Sequence, residues 1–247
     1  MFRRAAILQD AAGELSIERV GMRGVSLTVG AERLRVGAGA RCVHRGQARE
    51  VQLGVGERGL AIVGARVVGL ASDPGAWLEV PLAGFVLVAG AGPAHEVGAE
   101  VRYELPGPVL AAAMAGGPLL IGEDPLDLAA EDFSGSAPPL TFSLDETFDR
   151  NLLPRLGLGL TASGELIALA VDGRNLERAL GLTLRSTARV LQALGCVRAL
   201  NLDGGSSKRM VVGGRNMDLS TTEVVAGGAS SEHVRPVHSA ILFLPPS

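Results

Sequence analysis

From about residue 5 to 105 short strand-like apolar runs follow one another, with strict alternation in Val25–Val29, Leu34–Val36 and Val51–Leu53. The runs are Val25–Val29, Leu34–Val36, Val51–Leu53, Leu60–Val63, Val67–Leu70, Trp77–Val80 and Phe85–Val88, with Gly30, Gly37, Gly54 and Gly64 between them. Short runs of this kind, broken by glycine, predict many short antiparallel strands and hairpins. Arg33, Arg35, Arg41, Arg45 and Arg49 fall on alternating or loop positions and read as solvated faces. The compact apolar segment Leu110 to Ile121 is interrupted by Gly116-Gly117-Pro118. Paired glycines there predict a bulge or a close backbone approach, a ligand being one candidate for what approaches. Gly122 to Leu153 is loop-rich and carries Glu123, Asp124, Asp127, Glu131, Asp132, Asp145, Glu146 and Asp149. So long a connection reads as a lid or binding loop with a solvated acidic surface.

The last third changes period. Leu166 to Val171 reads as a buried strand that ends at Asp172-Gly173-Arg174. Thr183 is then a helix N-cap, Leu184, Ala188, Leu191 and Leu194 share a helical face, and Gly195 stops the helix. Cys196 to Leu202 is a second buried strand. Strand, helix, strand with this spacing predicts a right-handed crossover between parallel strands. Beyond a hairpin at Gly213-Gly214, Asn216 to Val234 reads as a mobile loop and Val237 to Leu244 as an apolar final strand. The class is α+β: strand-rich mixed sheets with few helices and one C-terminal strand-helix-strand crossover. Residues 1–80 form a strand-rich N-terminal part and residues 81–247 a second part, within one continuous domain.

Chemistry collects where the crossover strands end. Parallel strands deliver Asp172 and Asp203 to one carboxyl-end edge, where open sheets bind ligands. Direct neighbours would lie about 4.8 Å apart, close enough for two carboxylates to divide acid and base roles. The structural alternative is that each aspartate caps its own turn. After Asp203, Gly204 and Gly205 accept positive φ and expose backbone N–H groups; with Ser206 and Ser207 they make a concavity suited to an anion. Arg235, restricted by Pro236, presents a preorganised guanidinium to a phosphate.

Composition narrows the classes. The 247 residues suffice for a sizeable core, and 47% hydrophobic with 20% charged residues argues against disorder. A net charge of −3, no long basic run and 3% aromatics argue against a nucleic-acid partner. Cys42 and Cys196 lack metal-ligand spacing and read as two buried thiols. No window is long and apolar enough for a membrane span. Met1–Asp10 starts basic but lacks a signal peptide's apolar core, so the chain as written reads as cytoplasmic. No cofactor is expected; a divalent cation such as calcium has only the acidic stretch to hold it, without EF-hand spacing.

Several of these segments together resemble the phosphodiester glycosidase family. Ala199-Leu200-Asn201-Leu202-Asp203-Gly204-Gly205-Ser206-Ser207 looks like the family's Asn-Leu-Asp-Gly-Gly-Ser-Ser signature. Pro154-Arg155 with Gly157 to Gly164 is similar to its Pro-Arg-Thr segment and following strand, with Leu156 in place of the threonine. Val171-Asp172-Gly173-Arg174 and the helix from Thr183 match in order and spacing. So do Gly116-Gly117-Pro118-Leu119-Leu120, Phe85-Val86-Leu87-Val88-Ala89-Gly90 and Arg235-Pro236-Val237. The likeness spans roughly residues 80 to 244; the family's opening Asn-Gly-Gly-Phe-Phe-like strand end has no counterpart in residues 1 to 60.

The resemblance implies hydrolysis of a glycosidic bond whose leaving group is a phosphodiester, on a sugar-phosphodiester or glycan substrate. It implies carboxylates at the anomeric carbon, for which Asp203 and Asp172 are the candidates, and cationic or N–H groups at the phosphate. Arg155, Arg235 and the backbone of Gly204 to Ser207 are expected at the phosphate, Asn201 at the sugar or Asp203, and Gly116 and Gly117 at the pocket wall. The resemblance also implies secreted or envelope-associated placement, should the true N-terminus lie upstream. The competing class is a glycan- or sugar-phosphate-binding protein without turnover. A serine hydrolase is disfavoured by the lack of GxSxG, and a P-loop by the lack of its glycine-lysine spacing.

Overall fold

The computed structural model describes residues 3–107, 109–123, 126, 131, 151–175, 177–219, 223–225, 228–230 and 240–244. The predicted short strands form. β1 (Arg3–Asp10) pairs antiparallel with β2 (Leu15–Gly21) on one side and with β12 (Leu110–Ala115) on the other. Between β2 and β12 the chain builds a seven-stranded sheet from β3 (Ser26–Val29), β4 (Glu32–Val36), β5 (Gly39–His44), β7 (Glu57–Val63), β8 (Arg66–Ala71), β10 (Gly84–Gly90) and β11 (Val101–Glu104). Its order is β11-β3-β4-β5-β10-β7-β8, and β4 and β5 run parallel, which makes it mixed. β6 (Glu50–Gln52) and β9 (Trp77–Glu79) pair beside it. β10 hydrogen-bonds to both β5 and β7, so this sheet runs through residue 80 without a break. The arginine faces are largely as expected: Arg33 and Arg41 pair with Glu104 and Glu57 at the surface. Arg58 is instead buried against Glu32, whose other oxygen accepts His95 Nε2 at 2.7 Å.

The functional half rests on a four-stranded sheet of order β13-β16-β14-β15: β13 (Leu119–Ile121), β16 (Cys196–Leu202), β14 (Arg155–Thr161) and β15 (Leu166–Val171). One face packs on the β12-β1-β2 sheet through Ala5, Ile7, Ile17, Leu119, Leu158, Leu160 and Leu200. The opposite face carries α1 (Leu184–Ala193), whose Leu184, Ala188 and Leu191 meet Leu120, Ile121, Cys196 and Ala199. A register shift opposite Leu160/Thr161 lets Cys196 and Ala199 point to the same side. Each fully buried leucine of α1 contributes about 2 kcal/mol. The helix lies close because Gly159 and Gly157 are bare beneath it: a Cβ on Gly159 would stand 2.3 Å from Cys196 Sγ. Thr183 caps the helix by accepting Ser186 N–H at 3.0 Å, and Gly195 leaves it at φ +89°. Leu194 is the C-cap and half-exposed rather than part of the buried face.

Three expectations are corrected. β15 and β16 run in the same direction, but β14 lies between them and is antiparallel to both, so the crossover does not join neighbours. As the edge strand, β15 is half-buried along its length rather than buried. Residues 240–244 belong to no strand, with Leu242 and Leu244 largely exposed, because no described strand edge pairs with them. The expected hairpin forms: β17 (Val211–Val212) and β18 (Arg215–Asn216) flank the Gly213-Gly214 turn, both glycines at positive φ as a two-residue hairpin requires, and part of the stretch after it that read as a mobile loop is built in. Asp218 beyond them is buried, and β19 (Glu223–Val225) pairs with β20 (Gly228–Ser230).

Candidate active site

The two carboxylate-bearing strand ends converge through Pro154. β14 starts at Arg155, whose register partner is Val171 of β15, while Leu156 is opposite Leu202 of β16. One residue further on either side stand Asp172 and Asp203, so both lie at the edge where β14 begins. Pro154 is wedged between them. A Cβ on Gly173 would stand 2.5 Å from Pro154 N, and one on Gly204 2.4 Å from Pro154 O. Glycine is required at both positions by this close approach, not only by turn geometry. Gly205, at φ +55°, donates its N–H to the same Pro154 oxygen at 3.0 Å.

The diglycine corner is therefore a buried backbone joint. Gly204, Gly205 and Ser206 are buried, Gly205–Ser207 forms a 3₁₀ turn, and Ser207 N–H donates to Gly204 O at 3.0 Å. Two of the N–H groups expected to face an anion, those of Gly205 and Ser207, are thus already committed to carbonyls. Gly116 and Gly117 meet β16 itself: a Cβ on Gly116 would stand 2.4 Å from Leu200 Cδ1, and Gly117 N–H donates to Asn201 O at 2.7 Å. Asn201 completes the seam, its Nδ2 donating to Gly117 O at 3.2 Å and Leu202 O at 2.8 Å, while its buried Oδ1 has no hydrogen-bond partner among the described residues.

Arg155 is almost fully buried. Its Nε donates to Leu182 O and one Nη to Asn151 O, both at 3.0 Å, so the guanidinium ties the start of β14 to the residue preceding the N-cap of α1. Arg174, two residues past Asp172, is held at φ +50°, a left-handed conformation that costs a non-glycine residue about 1 kcal/mol. Arg235 lies outside the described residues, as does most of the acidic stretch Gly122 to Leu153. Glu131 in that stretch is a correction: it is fully buried rather than solvated. Its carboxylate accepts Ala5 N–H at 2.8 Å, Leu119 N–H at 2.6 Å and Arg19 Nε at 3.0 Å, joining β1, β2 and β13.

The two aspartates differ in surroundings. Asp203 is exposed, with no hydrogen bond or ion pair among the described residues. Asp172 Oδ1 accepts both Lys208 Nζ and Leu219 N–H, the latter at 3.0 Å. Lys208 is completely buried, and Asp218 Oδ2 stands 3.5 Å from its ammonium. Asp218 in turn accepts Arg209 Nη1 at 3.0 Å and Met210 N–H at 2.7 Å. Sequence reasoning missed Lys208 and Asp218. The available signal was the basic pair Lys208-Arg209 set between the serines and Met210-Val211-Val212.

Among the described residues no group of three or more His, Cys, Asp or Glu side chains has the arrangement to hold a metal ion, and no helix is long and apolar enough to cross a membrane. Cys42 and Cys196 are both free; Cys196 is buried, whereas Cys42 is only half-buried, and desolvation pushes its thiol up to about 12.

Residues 38–244 match the family described as phosphodiester glycosidase. An uncharacterized protein derived from the SPbeta prophage of Bacillus subtilis (strain 168), YomE, is 35% identical over 78 residues, 31% of this chain and 12% of that protein. The chain thus spans about an eighth of the curated relative it matches. Among solved structures, a hypothetical protein from Synechocystis is 24% identical with a TM-score of 0.47, the match covering 87% of this chain and 42% of that one. The catalytic domain of zebrafish N-acetylglucosamine-1-phosphodiester alpha-N-acetylglucosaminidase, auto-inhibited by its pro-peptide, is 15% identical with a TM-score of 0.36 over 87% of this chain and 73% of that one.

Proposed function

The chain belongs to the phosphodiester glycosidase family, and we propose that it hydrolyses the bond between a sugar's anomeric carbon and a phosphodiester. Water adds to the anomeric carbon, the bond from that carbon to the phosphate oxygen breaks, and the products are a free sugar and a phosphomonoester. A phosphate monoester has a second pKa of about 6, so it departs with little protonation. The demands left to the protein are activation of the water and stabilisation of the cationic sugar, both suited to carboxylates.

The observation that carries this reading is the shared sheet edge, with Asp172 and Asp203 flanking the start of β14. With one strand between them, their backbones are two strand spacings apart, about 9.6 Å. Ser207 and Arg235 are the proposed phosphate contacts, and Arg155, Asn201, Gly116, Gly117, Gly204, Gly205 and the buried Ser206 hold the edge in shape around them.

The test is release of free sugar from an alpha-linked sugar-1-phosphodiester, and its loss in Asp203→Asn and Asp172→Asn. A second reading, a sugar-phosphate-binding protein without turnover, is favoured by the exposure of Asp203, which no hydrogen bond or ion pair orients among the described residues. Saturable binding of the same compound with no sugar released would select it.

A further inference from the structure

Lys208 is the group that the proposed reaction leaves without a task. Burying an ammonium is costly unless it is fully paired, and an apolar side chain of similar length would fill the same space without that cost. What only the lysine supplies is a directional hold on one carboxylate oxygen. Asp172 Oδ1 accepts from Lys208 Nζ and from Leu219 N–H, whereas no hydrogen bond reaches Oδ2 among the described residues. The Asp172 side chain remains 30% exposed while that of Lys208 is at 0%. Asp172 is thus anchored through one oxygen and open through the other.

The anchor is itself held from behind. Asp218 is nearly as buried as Lys208, stands 3.5 Å from its ammonium, and is fixed by Arg209 Nη1 and Met210 N–H. Both Lys208 and Asp218 belong to the segment that leaves the diglycine corner, so the lysine links the end of β15 to the turn that follows β16. Resting on the reading of Asp172 as one of the two reacting carboxylates, we infer that Lys208 is a positioning residue for it. It sets the plane of the Asp172 carboxylate so that Oδ2 is the oxygen offered to the substrate, and it couples that plane to the diglycine corner.

The full chain is tested as Lys208→Met. A reacting group displaced by about 1 Å loses about 100-fold in rate, so kcat is expected to fall by about that factor with KM near the wild-type value. In Lys208→Ala, added ethylammonium is expected to restore kcat saturably by refilling the vacated space between Asp172 and Asp218. A lysine with a merely structural role would lower the folded fraction, leave kcat per folded molecule unchanged and give no amine rescue, and that result overturns the inference. Inactivity of the wild type on sugar-1-phosphodiesters would remove the functional reading instead, so a readout independent of turnover accompanies the kinetics. A crystal structure of Lys208→Met, or of Lys208→Ala where the first does not fold, is expected to show the Asp172 carboxylate rotated with the backbone of Val171 and Gly173 in place. An unmoved carboxylate overturns the inference whatever the activity.

Discussion

Replacing Gly204 by alanine tests whether the diglycine corner is a joint between strands or an open turn. The added Cβ would lie 2.4 Å from the carbonyl oxygen of Pro154, where ordinary contact begins near 3.4 Å. The corner and Pro154 must therefore separate by about 1 Å. Pro154 is backbone, wedged against Gly173 on its other side, so the strain has no flexible side chain to absorb it. Overpacking of this kind costs about 1–3 kcal/mol, and stretching the 3.0 Å bond from Gly205 N–H to Pro154 O adds about 1 kcal/mol. A shift of this size between the two carboxylate-bearing strand ends costs about 100-fold in turnover. Urea unfolding and sugar-release kinetics measure the two effects on the same sample. Gly90→Ala is the control, since a Cβ there meets nothing within 4 Å, and it is expected within about 0.5 kcal/mol of wild type. Wild-type stability and turnover in Gly204→Ala would refute the joint.

Two further substitutions probe the frame. Glu131→Ala strands the buried N–H donors of Ala5 and Leu119 and the part-buried Nε of Arg19, at about 1–3 kcal/mol each; urea unfolding is expected to show a loss of about 3–9 kcal/mol, and a loss below about 1 kcal/mol would show that Glu131 is dispensable to the core. Glu32 supplies a pH dependence. Burial alone would raise its pKa, but hydrogen bonds from Arg58 and His95 outweigh it and hold the carboxyl below its ordinary 4.5. A depressed folded pKa gives stability that is present above pH 4.5 and lost as pH falls through the folded value. Unfolding midpoints followed below pH 4.5 are expected to fall less steeply in Glu32→Gln; an unchanged slope would assign the acid sensitivity elsewhere.

Local pattern carried most of the elements. Short apolar runs bounded by glycine located β3, β7, β8 and β10, and the cap at Thr183 and stop at Gly195 framed α1 because each signal is set by a few adjacent residues. Strand order was not legible. β14 slips between β15 and β16 through long-range pairing, which no local period records, and so the two aspartates lie two strands apart instead of one. Burial of charge escaped for the same reason: Glu131, Lys208 and Asp218 are polar in sequence, and only distant partners make them interior. At Gly116 the close approach expected of the paired glycines is made by β16, while Gly204, read as turn-forming, is approached by Pro154.

Asp172 and Asp203 are held here to act as one pair across the start of β14. Steady-state turnover of Asp172→Asn, Asp203→Asn and the double variant on one sugar-1-phosphodiester decides this. Residues that work as a unit are grossly non-additive, so the double variant is expected to be no slower than the more damaged single one. Losses that multiply, or full activity in Asp172→Asn, would mean that the two carboxylates do not share a reaction.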